Sequence, residues 1–430
     1  MVDVVKELFG CTLQHQGRGL YVSMELFSML RGSILAQEDD HDVQVLPPSD
    51  SLTKFYRPAH DVARRIIGGR IEGGEEGLLL DQDTVTALRG LLYGLQLPVP
   101  GRRGEPGDWR LRHLYPFPAD LVHYDALERY GKVKIEGNQY RGGGGLAHRI
   151  LRTDPDETRL AETRTALTLL FADSQSPLGS LARALHSLDE SRDEAHTLWA
   201  DKLEVGYAVH PSPWVEHLRR GVHLISGRGL PESKAIEALM SWVPFCIARH
   251  QQSLAFAELE EAESRLVPIV IDCLPYNGPL RHRARADFNS SWHAVRRALD
   301  SRTETVISRG EESSSTKTSM DNAKSFFAAT CFAIGLANAP SGIRWFSVSP
   351  GLLEAIVLAT VPEPMTFVRF CETLHRDLGM IFDHRSAQKE QITAVDQSTF
   401  KENSEALSEV LHELGLLERF SDTTSMVAYK

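Results

Sequence analysis

The sequence has few cysteines, and they are not arranged to bind a metal ion. Cysteine occurs five times, far apart and among apolar neighbours, at Cys11, Cys246, Cys273, Cys331 and Cys371. No CxxC pair or Cys/His cluster at zinc-binding spacing occurs. The pattern predicts free buried thiols in a reducing compartment, and we therefore expect a cytoplasmic protein.

Long hydrophobic runs are also missing. Stretches such as Phe326 to Ala337 are too short and too interrupted to span a bilayer. The N-terminal residues Met1 to Glu7 carry an acid early and no basic segment ahead of an apolar one. We therefore predict neither a secretory signal nor a membrane association.

Motifs of known catalytic sites are not found either. The sequence contains no GxxxxGK[ST] loop, HExxH, GxSxG or protein-kinase signature. His210, His217 and His223 do not recur on one helical face, as a pair of metal ligands would. The prediction is a non-enzymatic protein without cofactor or metal. A metal-dependent nuclease stays open as an alternative, because its acids and lysine can come from distant positions.

The composition is that of a globular protein of several domains. The chain has 430 residues, 42% of them hydrophobic and 24% charged. We predict a mainly α fold with minor β structure. Three regions are expected: a mixed α/β region at 1–145, a helical domain at 146–310 with a basic C-terminal stretch, and a C-terminal domain at 321–430. Two breaks stand out, a proline- and glycine-rich loop (97–107) and a polar linker (310–317), and the linker is the better domain boundary because an apolar helix-like run follows it.

The C-terminal region shows a pattern of three helices. Ser349 and Pro350 form a cap and first turn, and a second amphipathic helix runs from Phe367 to a terminating Gly379. Thr399 and Glu402 have capping-box spacing at the start of a third helix. Between the second and third helices, Met380 to Ser398 is long enough to require an extra strand or an insertion.

Two short strands follow the third helix, at 416–420 and 426–429, with a turn between them. Three helices followed by a two-stranded hairpin resemble the winged-helix family, over Val348 to Lys430. The resemblance implies that the third helix, Thr399 to Leu414, enters the major groove of DNA. However, that helix has four glutamates and only one lysine. Because carboxylates oppose phosphate contacts, packing against a partner protein or against the chain's own helical domain is an equal alternative.

A second resemblance concerns the same region. Leu374 to Ile381, Asn403, and Leu414 to Leu417 leading to Phe420, Ser421 and Asp422 resemble the C-terminal ends of uncharacterised proteins from bacterial phage-defence operons. The resemblance implies an antiviral role that depends on protein partners.

Arginines are concentrated between Arg281 and Arg309, although the net charge of the whole chain is −11. The residues predicted to bind nucleic acid there are Arg281, Arg283, Arg285, Trp292, Arg296 and Arg297; a second, weaker patch near Trp109 consists of Arg102, Arg103, Arg110 and Arg112. Arginines among aromatic residues can bind phosphates and stack on exposed bases. The alternative is a solvated helix face with ordinary salt bridges.

These observations predict an accessory or scaffold subunit of a nucleic-acid-associated complex, which binds DNA or a partner protein. A purely structural oligomerisation subunit is a further alternative.

Overall fold

The structure, a computed structural model, describes residues 2–13, 22–23, 26–27, 143–171, 208–338, 342–420 and 424–429, together with the backbone of four short strands between residues 96 and 135. The described part is mainly helical with a few short strands, which confirms the predicted mainly α fold with minor β structure; the winged-helix ending stays a prediction. Contacts along the chain define two compact units, one of Met1–Leu26, Arg141–Ala166 and Gly206–Lys430 and the other of Phe27–Tyr140 and Leu167–Val205. The first unit includes stretches from all three predicted regions, whose boundaries stay a prediction.

The described helices are α1 (Val4–Phe9), α2 (Gly144–Arg152), α3 (Glu157–Phe171), α4 (Pro213–Gly227), α5 (Glu232–Glu260), α6 (Pro279–Ser308), α7 (Lys317–Ala333), α8 (Pro350–Thr360), α9 (Phe367–Leu378), α10 (His384–Lys389) and α11 (Gln397–Glu413). The described strands are β1 (Gln96–Pro98), β2 (Trp109–Leu111), β3 (Ala126–Arg129), β4 (Lys132–Ile135), β5 (Ile269–Val270), β6 (Ala337–Asn338), β7 (Trp345–Phe346), β8 (Met365–Thr366), β9 (Met380–Ile381), β10 (Leu417–Arg419) and β11 (Ser425–Val427). In the second unit, β1 pairs with β2 and β3 with β4, both antiparallel.

The core of the first unit forms around α5, which packs against α4, α6, α7 and α8. Helix α8 is buried on most sides, through Leu352, Leu353, Ala355, Ile356, Val357, Leu358 and Ala359. A helix that is apolar around its circumference is stable only inside a protein, which explains its central place. Ser349 accepts a hydrogen bond from the amide of Leu352, so the predicted cap of this helix is present.

Helices α4 and α5 approach closely at Gly221. A Cβ atom at that position would lie 2.1 Å from the Nε1 atom of Trp242 on α5. Helix α5 continues through Pro244, where the sequence predicted a kink or an end, and reaches Glu260. The proline cannot donate the backbone hydrogen bond of that turn. Packing against neighbouring helices on several sides of α5 compensates for this loss.

The centre of α5 is polar and buried from Arg249 to Ser253. One guanidinium nitrogen of Arg249 donates to the carbonyls of Val267 (2.7 Å) and Leu378 (3.1 Å). The guanidinium group also lies 5.0 Å from the ring centre of Trp214. Arg249 therefore joins the end of α9 and the segment before β5 to the central helix.

The N-terminal segment lies against the segment between α6 and α7. Val2 forms a parallel bridge with Ser313, and its amide donates to the carbonyl of Glu312 at 2.8 Å. The hydroxyl of Ser315 donates to Asp3 at 2.9 Å. Helix α1 packs against α5 and α6 and buries Val4, Val5, Leu8 and Phe9.

The C-terminal elements follow one another as α8, β8, α9, β9, α10, α11, β10 and β11. Their three-stranded sheet has the order β10–β11–β8 and is antiparallel throughout. The extra strand predicted between the second and third helices is β9, which pairs in parallel with β5. The predicted capping box at Thr399 is wrong, because α11 begins two residues earlier, at Gln397, with Asp396 at its N-cap.

Asn403 anchors α11 to the β5–β9 pair. Its side-chain amide donates to the carbonyls of Ile271 (3.0 Å) and Phe382 (2.9 Å), and its oxygen accepts from the amide of Cys273 at 2.8 Å. The side chain is fully buried. This asparagine therefore fixes the third helix of the C-terminal region to the core of the first unit.

Candidate nucleic-acid interface

Helix α6 carries the predicted basic stretch and buries one side in the core. Its buried residues recur every three or four positions, at Leu280, Ala284, Phe288, Ser291, Ala294, Val295, Ala298, Leu299 and Val306. Residues between them face away from the core. This periodicity decides which arginines are accessible.

Two of the predicted binding residues are engaged inside the protein. Arg281 donates to the buried carboxylate of Asp272 at 2.7 Å, and its guanidinium lies 4.6 Å from the ring centre of Trp345. Arg283 donates to Asp287 at 2.8 Å. The other oxygen of Asp287 accepts from the amide of Val270, so both arginines support the segment around β5.

The arginines near the C-terminal end of α6 also have carboxylate partners. Arg302 forms ion pairs with Glu258 and Glu7, and Arg309 lies 3.8 Å from Glu7. These contacts join α1, α5 and α6. Arg302 and Arg309 belong to the same arginine-rich stretch, and each lies within ion-pair distance of a carboxylate.

Arg285, Arg296 and Arg297 are exposed and form no ion pair within the described part of the chain. Arg285, Trp292 and Arg296 are separated by seven and four positions, so they lie on the same side of α6. The structure therefore brings together three of the six predicted residues of this stretch, whereas the exposed Arg297 lies about 100° around the helix from Arg296.

Trp292 is the centre of this group. The guanidinium carbon of Arg296 lies 5.2 Å from its ring centre, and that of Arg344 lies 5.6 Å away. The ring of His293 stacks on it at 5.4 Å, with an angle of 30° between the planes. Arg344 precedes β7, and the β6–β7 hairpin brings it to α6.

Sequence reasoning missed Arg344, because it is a single arginine in an otherwise neutral segment. It is exposed and, like Arg296, forms no ion pair with a described residue. We call the set of Arg285, Trp292, Arg296 and Arg344 the arginine face.

The arginine face has an excess of positive charge. Asp300 lies at its C-terminal end and pairs with Lys324 at 2.6 Å, and the exposed Glu304 follows one turn later. Each guanidinium presents several donors in a fixed planar arrangement that matches phosphate oxygens. The face can therefore bind a polyanion.

The second predicted patch cannot be described at the level of side chains. Arg102, Arg103 and Arg112 lie outside the described residues. Trp109 and Arg110 belong to β2, of which the backbone alone is described.

The exposed side of α11 is acidic, as its sequence indicates. Glu402, Glu405, Glu409 and Glu413 are all exposed. The hydroxyl of Tyr276 donates to Glu402 at 2.5 Å, and Arg419 on β10 lies 2.5 Å from Glu409. Lys401 is 3.9 Å from Glu405. This helix surface opposes the approach of phosphates.

Ser212 and His250 form a serine–histidine contact of the kind that can activate a nucleophile. The hydroxyl of Ser212 lies 2.6 Å from the Nδ1 atom of His250, which is buried. Burial, and to a lesser extent the charge of His210, lowers the pKa of His250 to about 3. An imidazole with so low a pKa is a weak general base, so the contact is better explained as part of the core.

Three further features concern metals, cysteines and membranes. Among the described residues, no group of three or more His, Cys, Asp or Glu is placed to hold a metal ion. All five cysteines are free, four of them buried and Cys273 half-buried. Burial raises the pKa of the Cys331 thiol to about 12, although the charge of Arg249 opposes the shift. No described helix has the length and apolar character needed to cross a bilayer.

Comparisons with protein-family models, curated proteins and solved structures gave no significant match to this chain.

Proposed function

We propose that this chain is a non-enzymatic subunit that binds nucleic acid through the arginine face of α6. The observation that carries the proposal is the group of three exposed guanidinium groups, Arg285, Arg296 and Arg344, none of which is paired with a described carboxylate. Neighbouring arginines on the same helix are neutralised by Asp272, Asp287 and Glu258. The arginines of the arginine face therefore differ from their neighbours on this helix, because no described carboxylate neutralises them.

The contacts of Trp292 favour phosphates over bases as the ligand. Arg296, Arg344 and His293 already lie against its ring, at 5.2, 5.6 and 5.4 Å. An incoming base would have to displace one of them to stack on the indole. We assign Trp292 the role of holding the two guanidinium groups in place through cation–π contacts. The expected binding is sequence-independent and sensitive to salt.

The C-terminal elements support an assignment to the winged-helix type. Three main helices, α8, α9 and α11, precede the β10–β11 hairpin, and β8 joins that hairpin at the edge of its sheet. Helix α11 is acidic on its exposed side, so we assign it to protein docking rather than to DNA reading. A partner-dependent role in phage defence belongs to the same proposal and depends on the sequence resemblance alone.

Binding to a duplex and to a single-stranded oligonucleotide across a salt series tests the proposal. Substituting Arg285, Arg296 and Arg344 by alanine should reduce the slope of log K against log salt by about two to three, because each phosphate contact contributes about 0.7–0.9. The control is R265A/R376A, in which both exposed arginines are already paired, with Glu260 and Asp377. Salt-independent binding, or equal slopes for the two variants, would contradict the proposal.

An abasic oligonucleotide of equal length tests the role of Trp292. If the guanidinium groups bind phosphates, the abasic strand should bind as tightly as the normal one, and W292F should restore most of the affinity lost in W292A. A tenfold or larger loss with the abasic strand would indicate base stacking instead. Incubating the same protein with plasmid and magnesium or manganese tests the nuclease alternative.

A further inference from the structure

A groove of about 810 Å³ lies in the C-terminal region. Its walls are the first turn of α9, the exposed side of α11 and the β10–β11 hairpin. The residues that line it include Val368, Glu405, Ser408, Glu409, Phe420 and Ser425. None of them belongs to the arginine face.

Two large apolar side chains are exposed at this groove. Val368 has 46% of its surface accessible and Phe420 has 64%. Val368 belongs to α9, and Phe420 directly follows β10. The two residues are far apart in the sequence, and folding brings both to this groove. Exposed apolar residues beside a concave surface are typical of a site that another protein covers.

The charges along the groove select the type of partner. Glu405 and Glu409 line it, whereas Glu402 and Glu413, on the same helix, are not among its lining residues. Arg419 neutralises Glu409 at 2.5 Å, whereas Lys401 approaches Glu405 only to 3.9 Å. Arg369 is exposed beside Val368 and limits the negative charge at the α9 end. Glu405 is therefore the carboxylate best placed to receive a cation.

We propose that this groove binds a segment of a partner protein that carries a lysine or arginine next to a large apolar side chain. The cation meets Glu405, and the apolar side chain lies between Val368 and Phe420. The hydroxyls of Ser408 and Ser425 form no hydrogen bond within the described part of the chain and are available to the backbone of the segment. This docking surface is independent of nucleic-acid binding by α6.

The test uses the full chain and three fluorescein-labelled peptides of twelve residues. The first has leucine–lysine pairs in a glycine/serine background; the second replaces each leucine by serine, and the third replaces each lysine by glutamate. Fluorescence anisotropy should show the first peptide binding at least tenfold more tightly than either of the others. Equal binding of the three peptides would overturn the proposal.

Variants of the protein locate the site. E405K and V368S should each weaken binding of the leucine–lysine peptide at least tenfold, while E413K, on the same helix but outside the groove, should leave it unchanged. Equal effects of E405K and E413K would show a diffuse charge effect and overturn the site. If an oligonucleotide crosslinks to α11, the occupant is nucleic acid and not a partner protein. If light scattering shows a dimer that E405K and V368S abolish, the occupant is a second copy of this chain. Either result would overturn the proposal. The peptide-binding readouts do not involve nucleic-acid binding, so they stay valid if the arginine-face experiments fail.

Discussion

His250 shows how the environment of one residue makes the stability of this protein depend on pH. Its imidazole is buried in the middle of α5, and burial lowers its pKa to about 3. In the unfolded chain the same group has an ordinary pKa near 6.5. Between these two values the unfolded state binds more protons than the folded state. The contribution of His250 is therefore complete above about pH 6.5 and is lost as the pH falls towards 3.

We expect this one residue to reduce the free energy of unfolding by about 2 kcal/mol between pH 8 and pH 5. Substituting His250 by glutamine, which can still accept a hydrogen bond from Ser212, should remove that part of the loss. Urea unfolding at the two pH values measures it. His282→Gln is the matched control, because His282 is exposed on α6 and should keep the pH dependence of the native sequence. If H250Q lost as much free energy of unfolding between pH 8 and pH 5 as the native protein does, this account would be contradicted.

At the same scale, the candidate site was predicted in part. Arginine content identified α6, but it could not separate Arg285 and Arg296 from Arg281, because pairing depends on where Asp272 lies after folding. Arg344 reaches Trp292 only through the β6–β7 hairpin. Such contacts join distant parts of the chain and leave no periodic signal in the sequence.

The stability of a close contact between two helices depends on the glycine at the contact. A pair of glycine-to-alanine variants can measure this dependence. At Gly221 a methyl group would overlap the Trp242 indole, whereas at Gly351, on α8, an added Cβ meets nothing within 4 Å. We expect G221A to destabilise the protein by about 1–3 kcal/mol through overpacking. G351A should stabilise it by about 0.5–1 kcal/mol, since alanine favours the helix more than glycine does. Thermal unfolding of both variants gives the comparison, and a decrease of Tm in G351A equal to that in G221A would contradict it.

Elements defined by local signals were predicted well. The start of α8 at Ser349 and Pro350 and the end of α9 at Gly379 depend on neighbouring residues alone, and both are as predicted. The start of α11 was misplaced because Thr399 and Glu402 have the spacing of a cap, yet Asp396 takes that position. The β5–β9 pair has two residues in each strand and becomes stable through Asn403 and Arg249, which are remote in sequence. No local pattern contains that information.

The first unit as a whole is built from three separated stretches of the chain. Helix α8 packs against α4 and α5, and α1 packs against α5 and α6. A cut at Val348, where the winged-helix resemblance begins, would separate α8 from α4 and α5. The buried residues of α8, among them Leu353 and Ile356, would then be exposed.

We expect a fragment of residues 348–430 to be unstable by itself, in spite of its winged-helix pattern. It should bind the dye ANS and lack sharp near-UV circular dichroism, as loosely packed states do. The full chain, measured under the same conditions, is the control. A fragment that unfolds cooperatively on heating would show instead that the C-terminal region is autonomous.

The contact between Val2 and Ser313 has a consequence for synthesis. Helix α1 is made before the segment that pairs with Val2, which follows more than 300 residues later in the chain. At 5–20 residues per second this delay is roughly 15–60 s. Val4, Val5, Leu8 and Phe9 end fully covered, and α1 packs against α5 and α6, so these side chains lack those partners until both helices have been made. The nascent chain should therefore be a client of chaperones that shield apolar segments until α5 and α6 are complete.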